Sequence, residues 1–152
     1  MMGMERRKLE FNSYEEVIAE LERLKDSENE QLGNWKLGDI CFHLNFYFTG
    51  SLNGFKVMLP WVIRTFMGRP ALWWLLRHEY KPGGTTVPKS IPKGDNNIEE
   101  TVNITIGLLK LLSEAKELQP SSFFGTLTVD QWREMHLRHA AHHLSFLTPK
   151  PS

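Results

Sequence analysis

Cysteine and net charge are the features that this sequence most nearly lacks. Cys41 is the only cysteine among 152 residues, which excludes an internal disulfide and a cysteine-rich metal site. Lys plus Arg equal Asp plus Glu at 18 each, so the net charge is zero and nucleic acid is an unfavourable partner. With 41% hydrophobic and 24% charged residues, the composition is that of an ordinary globular domain, and we predict a cytoplasmic protein.

A long apolar run without charges is also missing. The most apolar segment, residues 57–76 (VMLPWVIRTFMGRPALWWLL), is interrupted by Arg64 and Arg69 and by proline and glycine, which excludes a membrane-spanning helix. We expect this segment to be buried or to line a pocket rather than to contact a membrane. The start, MMGMERRKLEF, has no apolar stretch behind its charges, so no signal peptide is expected.

Strand patterns are scarce, whereas helical periodicity and helix caps recur along the chain. Ser13 with Glu16 and Thr128 with Gln131 have capping-box spacing, which marks the starts of two helices. Between the second and third helices, residues 54–95 are rich in Gly and Pro, with short helices predicted near 58–67 and 70–79. The four long helices are predicted at about 13–28, 36–53, 97–118 and 128–147.

This arrangement predicts an all-α fold, a four-helix bundle with one long crossover between helices two and three. We assign residues 9–147 to a single domain, with terminal tails at 1–8 and 148–152.

Histidine, by contrast, is concentrated in the last helix. Four of the six histidines fall in MHLRHAAHHLSFL, at positions 136, 139, 142 and 143. The i, i+4 spacing of His139 and His143 places both rings on one helix face, a geometry that can hold one metal ion. His136 lies on the same face and is a candidate ligand, proton shuttle or wall residue. His142 is rotated away by about 100° and is expected to pack against a neighbouring helix.

His43, in the middle of the apolar second helix, is the candidate third ligand. Three protein ligands with an open fourth position are typical of catalytic zinc sites. Asp39, four residues earlier, is either an orienting carboxylate for an imidazole or a cap of the helix start. Gly50 is expected to leave room for a ligand. Cys41 points to the other side of the helix, where a core position is expected.

Two motifs in this order resemble those of the DinB/YfiT-like superfamily. NWKLGDICFHL, in which His43 follows Trp35 by eight residues, resembles the second-helix motif, and HAAHHLSFL resembles the last-helix motif. The resemblance covers about residues 9–147 and is strongest to a subgroup known only as a domain of unknown function. It implies an up-down-down-up four-helix bundle with metal ligands at His43, His139 and His143.

The same resemblance implies a function, because characterised members include thiol-dependent transferases and isomerases. We therefore expect a metal-dependent enzyme, a thiol S-transferase or hydrolase, that acts on a small molecule with a low-molecular-weight thiol as a partner. Imidazole ligands favour a divalent transition metal, with Zn and Ni as the leading choices. His136 and Asp39 are the candidate catalytic acid–base residues.

Several alternatives remain open at this stage. The chain could be a non-catalytic metal- or small-molecule-binding protein, or a helical protein whose histidines hold no metal, and it could form a homodimer. The aromatic residues of the crossover, Trp61, Phe66, Trp73 and Trp74, either hold a substrate or pack in the interior. Free histidine titrates near ~6.5, so metal affinity is expected to fall as the pH drops from about 7 to 5.

Overall fold

The protein is mostly helical, with one small sheet. The structure is a computed structural model that describes residues 5–84 and 86–151. In chain order its elements are α1 (Tyr14–Lys25), β1 (Asn29–Gln31), α2 (Leu37–Asn53), α3 (Trp61–Ile63), a π-helical turn (Arg64–Gly68), α4 (Arg69–Leu75), a 3₁₀ turn (Pro88–Ser90), α5 (Ile98–Glu114), α6 (Val129–Leu144) and β2 (Leu147–Pro149). The prediction of a helical protein is confirmed.

The capping residues start α1 and α6 as their spacing predicts. Ser13 Oγ accepts a hydrogen bond from the Glu16 backbone N–H, 3.3 Å away. At α6, Thr128 Oγ1 accepts from the Gln131 N–H at 3.1 Å, and Gln131 Oε1 accepts from the Thr128 N–H at 2.9 Å. Both caps accept from backbone N–H groups that the first helical turn would otherwise leave without a partner. The complete box forms at α6, whereas at α1 the Glu16 carboxylate accepts from Asn12 N–H and not from Ser13 N–H.

The ends of the last two long helices differ from the prediction. Helix α5 stops at Glu114, and the chain beyond it is held by a 2.8 Å hydrogen bond from Gln119 N–H to Ser51 O, at the end of α2. Helix α6 stops at Leu144 because the next residues form β2, which pairs antiparallel with β1. The sequence-based prediction missed both strands.

The main core lies among α1, α2, α5 and α6. It is built from aliphatic side chains at helical spacing on each of these elements, for example Val17 and Leu21 of α1 and Leu109 and Leu112 of α5. Ile98, the first residue of α5, lies outside this core and is 43% exposed. The predicted four-helix bundle is a statement about the relative directions of these helices, and it stays a prediction.

The crossover contains a continuous helical run, Trp61–Leu75, which we call the crossover helix. Its middle is a π-helical turn in which Arg69 N–H donates to Arg64 O, five residues back. The wider turn accommodates Pro70, which has no N–H to donate and would crowd a regular α-turn. The two short helices expected near 58–67 and 70–79 are thus joined. Over the described ranges, no helix combines the length and the apolarity needed to cross a membrane.

A second, smaller core lies beneath the crossover helix. Leu72 is buried there with Leu127 and Trp132. Gly68 is buried against the turn at 121–125, where a Cβ would lie 2.1 Å from Phe123 O. These contacts attach one face of the crossover helix to the rest of the molecule.

Candidate metal centre

Three histidines from two helices converge on one point. His43 projects from the middle of α2, and His139 and His143 project from one face of α6. The Nε2 atom of His139 lies 3.0 Å from His43 Nε2 and 3.0 Å from His143 Nε2. One nitrogen from each ring lies within 4.8 Å of the others, so the three residues are close enough to bind a single metal ion.

A backbone carbonyl sets the tautomer of His43. Its Nδ1 lies 3.0 Å from Ser90 O, and a carbonyl oxygen can only accept, so Nδ1 carries the hydrogen. In the neutral ring, Nε2 then has a free lone pair that points at the other two histidines. An imidazole held in this way by its other nitrogen is the usual arrangement around protein-bound metals.

The three Nε2 atoms fit a cation better than they fit one another. Each ring nitrogen has either one hydrogen or one lone pair, so His139 Nε2 cannot satisfy both of its 3.0 Å neighbours. Three lone pairs directed at one cation would remove that conflict. Tetrahedral zinc with ~2.05 Å bonds separates its ligand nitrogens by about 3.3 Å, close to the distances between these rings.

Burial keeps these rings neutral. It lowers the pKa of His143 to about 3, with the neighbouring charges of His43 and His142 acting in the same direction. Burial also lowers the pKa of His139 well below its usual value, and the His143 and His43 charges add to the effect. For His43, burial lowers the pKa and the hydrogen bond to Ser90 O opposes it. Neutral imidazole is the form that binds metals.

Aromatic rings surround the three histidines. Trp35 stacks on His143 with ring centroids 5.4 Å apart and lies 4.9 Å from the ring of His43. Tyr47 meets His43 and His139 edge-on, at 5.2 and 4.9 Å. These rings restrict the rotation of the imidazoles and give the centre an apolar wall. Tyr47 could have been found from the sequence, since it lies four residues after His43 on the same helix face.

A hydroxyl network ties the 3₁₀ turn of the crossover to α2. Tyr47 Oη lies 3.1 Å from Thr86 Oγ1 and 3.4 Å from Ser90 Oγ, and the Thr86 and Ser90 hydroxyls are 3.0 Å apart. Because Ser90 is fully buried, its carbonyl is held in place to accept from His43. Nothing in the sequence identifies this contact, since it joins residues 47 positions apart in an irregular segment.

Asp39 caps a helix and does not orient His43. One carboxylate oxygen accepts from Lys36 N–H at 3.1 Å, and the other accepts from the Asn96 side chain at 2.8 Å. The capping alternative therefore describes its contacts, because Asp39 lies in the first turn of α2, where backbone N–H groups need acceptors. Ser90 O takes the orienting position instead. The catalytic role suggested for Asp39 stays a prediction.

His136 lies in the interior, outside the convergent set. Ser51 donates its single hydrogen to Phe48 O, so His136 Nε2–H donates to Ser51 Oγ, 2.9 Å away. The ring stacks on Trp132 at 5.0 Å. Burial lowers the pKa of His136 to about 3. The structure therefore favours a hydrogen-bonded wall residue among the roles considered for His136.

The other two histidines and the cysteine are also outside the centre. His142 Nδ1 lies 3.4 Å from Arg6 Nη1, and its ring packs edge-on against Phe146. His78 stacks on Trp74 at the surface. Cys41 is buried, and burial raises the pKa of its thiol to about 12, which makes it a poor nucleophile.

Two expectations about the space around the histidines are wrong. A Cβ on Gly50 would lie 2.2 Å from the ring of Phe55, so the missing side chain makes room for Phe55 and not for a ligand. The crossover aromatics Trp61, Phe66, Trp73 and Trp74 do not pack in the interior, since they are 44–70% exposed, and the alternative that they hold a substrate stays a prediction. The spacing of apolar residues could not reveal this exposure, because the outward face of the crossover helix is as apolar as a core face.

Together, the fold and the centre define a mostly helical protein with three histidines close enough to hold a metal ion. The chain belongs to the family described as "Protein of unknown function (DUF1569)", whose family model matches residues 3–150. No curated protein and no solved structure matches it. The resemblance to a subgroup known only as a domain of unknown function agrees with this family.

Proposed function

We propose that the protein is a metal-dependent enzyme that uses His43, His139 and His143 as ligands to one divalent transition metal. The observation that carries the proposal is the convergence of three Nε2 atoms. His139 Nε2 lies 3.0 Å from both of the others and cannot form a hydrogen bond of the right polarity with each, whereas a cation would bind all three lone pairs. Three neutral imidazoles suit Zn or Ni.

The fold part of the proposal is a DinB/YfiT-like four-helix bundle formed by α1, α2, α5 and α6. Three features support it. The ligands come from the second and last of these helices, the long crossover separates α2 from α5, and all four helices contribute side chains to the main core. The up-down-down-up order follows from the resemblance.

A bound metal with three protein ligands would supply Lewis acidity and an open position at which water or a thiol becomes a nucleophile near neutral pH. The chain's own residues do the rest. Ser90 O fixes His43, Trp35 and Tyr47 limit the motion of the rings, and the apolar wall excludes bulk water. The Tyr47 hydroxyl, in its network with Thr86 and Ser90, is a candidate to pass a proton.

The substrate class proposed is a small molecule with an electrophilic centre, attacked by a low-molecular-weight thiol or by water. The aromatic rings of Trp35 and Tyr47 favour an apolar substrate over a highly charged phosphate. The proposal that a thiol is the attacking partner rests on the superfamily resemblance.

Elemental analysis of protein prepared without a histidine tag tests the ligand set. We expect about one Zn or Ni per chain, and loss of tight binding in His43→Ala, His139→Ala and His143→Ala. His142→Ala is the matched control, since it removes a neighbouring ring on the same helix that bonds to Arg6. Equal metal loss in the control would show that the wrong helix face had been assigned.

Turnover is tested by loading the protein with metal and screening thiols against a chromogenic electrophile, with His143→Ala as the inactive reference. A rate that depends on both metal and thiol supports the transferase, and a metal-dependent rate without thiol supports the hydrolase. Equal rates for wild type and His143→Ala would remove the enzyme proposal. In that case a protein that still binds metal would be a metal- or small-molecule-binding protein.

A further inference from the structure

The outward face of the crossover helix is apolar and uncovered. Phe66 is 70% exposed, Met67 62% and Trp73 57%, and Trp61 and Trp74 are also exposed. The opposite face, with Leu72 and Gly68, is buried against the turn at 121–125 and the start of α6. Five large apolar side chains exposed along one short helix mark a candidate interaction site, since single exposed apolar residues are normal but concentrations of them are not.

The charged residues of the crossover helix and of its immediate flanks in sequence have one sign. Lys56, Arg64, Arg69 and Arg77 lie in residues 55–78, and the sequence has no acidic residue between Asp39 and Glu79. Within the described ranges none of these four cations forms an ion pair, whereas Asp130 and Glu134 of the adjacent α6 are paired with Arg133 and Arg138. Since the whole chain has zero net charge, this is a local concentration of positive charge.

We propose that the crossover helix binds the protein to the surface of an anionic lipid bilayer. Three of the five tryptophans lie in this helix, and tryptophan prefers the membrane–water interface. A helix with exposed aromatic residues on one side and unpaired Lys and Arg near it is suited to lie in the interface of anionic lipids. This inference concerns a surface that does not include the metal centre.

A groove beside the helix offers a place for a lipid headgroup. Its volume is about 360 Å³, and it is lined by Arg69, Leu72, Trp73, Leu76, Arg77 and Gln131. Each arginine has five N–H donors, and the contacts to Thr126 O and Trp73 O use one on each. Arg77 also lies over the Trp73 ring at 4.5 Å, which keeps the cation at the edge of the apolar face.

A second copy of the chain is a less suitable occupant of this face. A two-fold dimer places the same patch on both sides of the interface, so a basic patch would face a patch of the same charge. The segment has no carboxylate to pair with them. An anionic bilayer supplies both the apolar layer and the negative charge.

Vesicle flotation tests the proposal with the full-length protein. Wild type should float with phosphatidylcholine–phosphatidylserine vesicles, with a blue shift of tryptophan fluorescence, and should float much less with phosphatidylcholine alone. Arg69→Gln/Arg77→Gln should bind the anionic vesicles about thirtyfold more weakly, since each cation at such a surface contributes on the order of a tenfold gain or somewhat less. Added salt should reduce wild-type binding.

Phe66→Ser/Trp73→Ser should abolish flotation while its circular dichroism and melting temperature remain like wild type, because both side chains are exposed. Ile104→Ser/Leu111→Ser is the matched control: these apolar residues of α5 are 50% and 56% exposed but have no such basic surroundings in sequence, and the variant should float like wild type. Wild type that stays unbound, or a Phe66→Ser/Trp73→Ser variant that binds equally well, would overturn the proposal. A wild-type dimer in size-exclusion chromatography that this variant converts to monomer, without vesicle binding, would replace it with self-association.

Discussion

The protonation of three buried imidazoles decides how the candidate centre responds to pH. A flexible triad with ordinary pKa values near ~6.5 would lose several hundredfold in metal affinity between pH 7 and pH 5.5, because each ring takes up a proton. Burial lowers the pKa of His143 to about 3 and lowers those of His43 and His139. Protons therefore compete with the metal only at more acidic pH, and the fall in metal affinity that the sequence predicts shifts to lower pH.

We predict a change of less than about tenfold in Zn affinity between pH 7 and pH 5.5, followed by a loss as the pH falls toward about 3, the value to which burial lowers the pKa of His143. Competition with a chromophoric chelator, corrected for the chelator's own protonation, measures this. A several-hundredfold loss over the first interval would mean that the metal-free rings are solvated and that the burial argument fails.

Residue spacing predicted part of the centre and missed the rest for a physical reason. His139 and His143 are one helical turn apart, so their common face follows from α6 alone. The orienting contact to His43 comes from Ser90 O, a backbone atom in the crossover, which no side-chain pattern can indicate. Asp39 was ambiguous because the same carboxylate position suits a helix cap and an imidazole partner.

At the scale of the elements, one glycine lets the crossover helix pack closely on the turn at 121–125. A Cβ at Gly68 would meet Phe123 O at 2.1 Å. That turn cannot easily retreat, because Ser121 and Gly125 exchange two backbone hydrogen bonds and Ser121 Oγ accepts from Phe124 N–H. We predict that Gly68→Ala lowers the free energy of unfolding by about 1–3 kcal/mol through overpacking.

Gly107→Ala is the matched control, in the exposed face of α5, where a Cβ would meet nothing within 4 Å. Alanine is the better helix former there, and we expect it to raise the free energy of unfolding by up to ~1 kcal/mol. Urea unfolding of both variants measures whether each substitution lowers or raises the free energy of unfolding. A neutral or stabilising Gly68→Ala would show that the crossover helix is not closely attached.

The sequence predicted elements well where the signal is local. The N-cap residues of α1 and α6 are predicted from a few neighbouring residues, and both helix starts are confirmed, with the complete capping box formed at α6. Strands β1 and β2 were missed because each has three residues and its partner lies at the other end of the chain. The crossover helix was found, but its exposed face was not, since a hydrophobic pattern does not say what covers it.

At the scale of the whole molecule, we expect folding not to depend on the candidate metal. The core clusters consist of aliphatic and aromatic side chains from all the long helices, and the three histidines lie beside the main cluster. The metal-free protein is therefore expected to remain folded at neutral pH, and its stability is set by the core and by the buried polar groups within it.

One of those groups, His136, makes the metal-free protein sensitive to acid. It is 2% exposed, it donates to Ser51 Oγ, and burial lowers its pKa to about 3. The unfolded chain takes up a proton near ~6.5 and the folded chain does not, so the free energy of unfolding falls as the pH drops below that value and levels off near pH 3. At pH 5 the loss from this residue alone is about 2 kcal/mol.

We predict that His136→Gln, which keeps a polar side chain but does not titrate, flattens this dependence. The variant should be less stable than wild type at pH 7, because glutamine does not reproduce the stacking of His136 on Trp132. Between pH 7 and pH 5, however, it should lose about 2 kcal/mol less than wild type. Urea unfolding of both metal-free proteins at the two pH values measures the difference, and parallel losses would show that His136 takes up its proton in the folded protein as readily as in the unfolded chain.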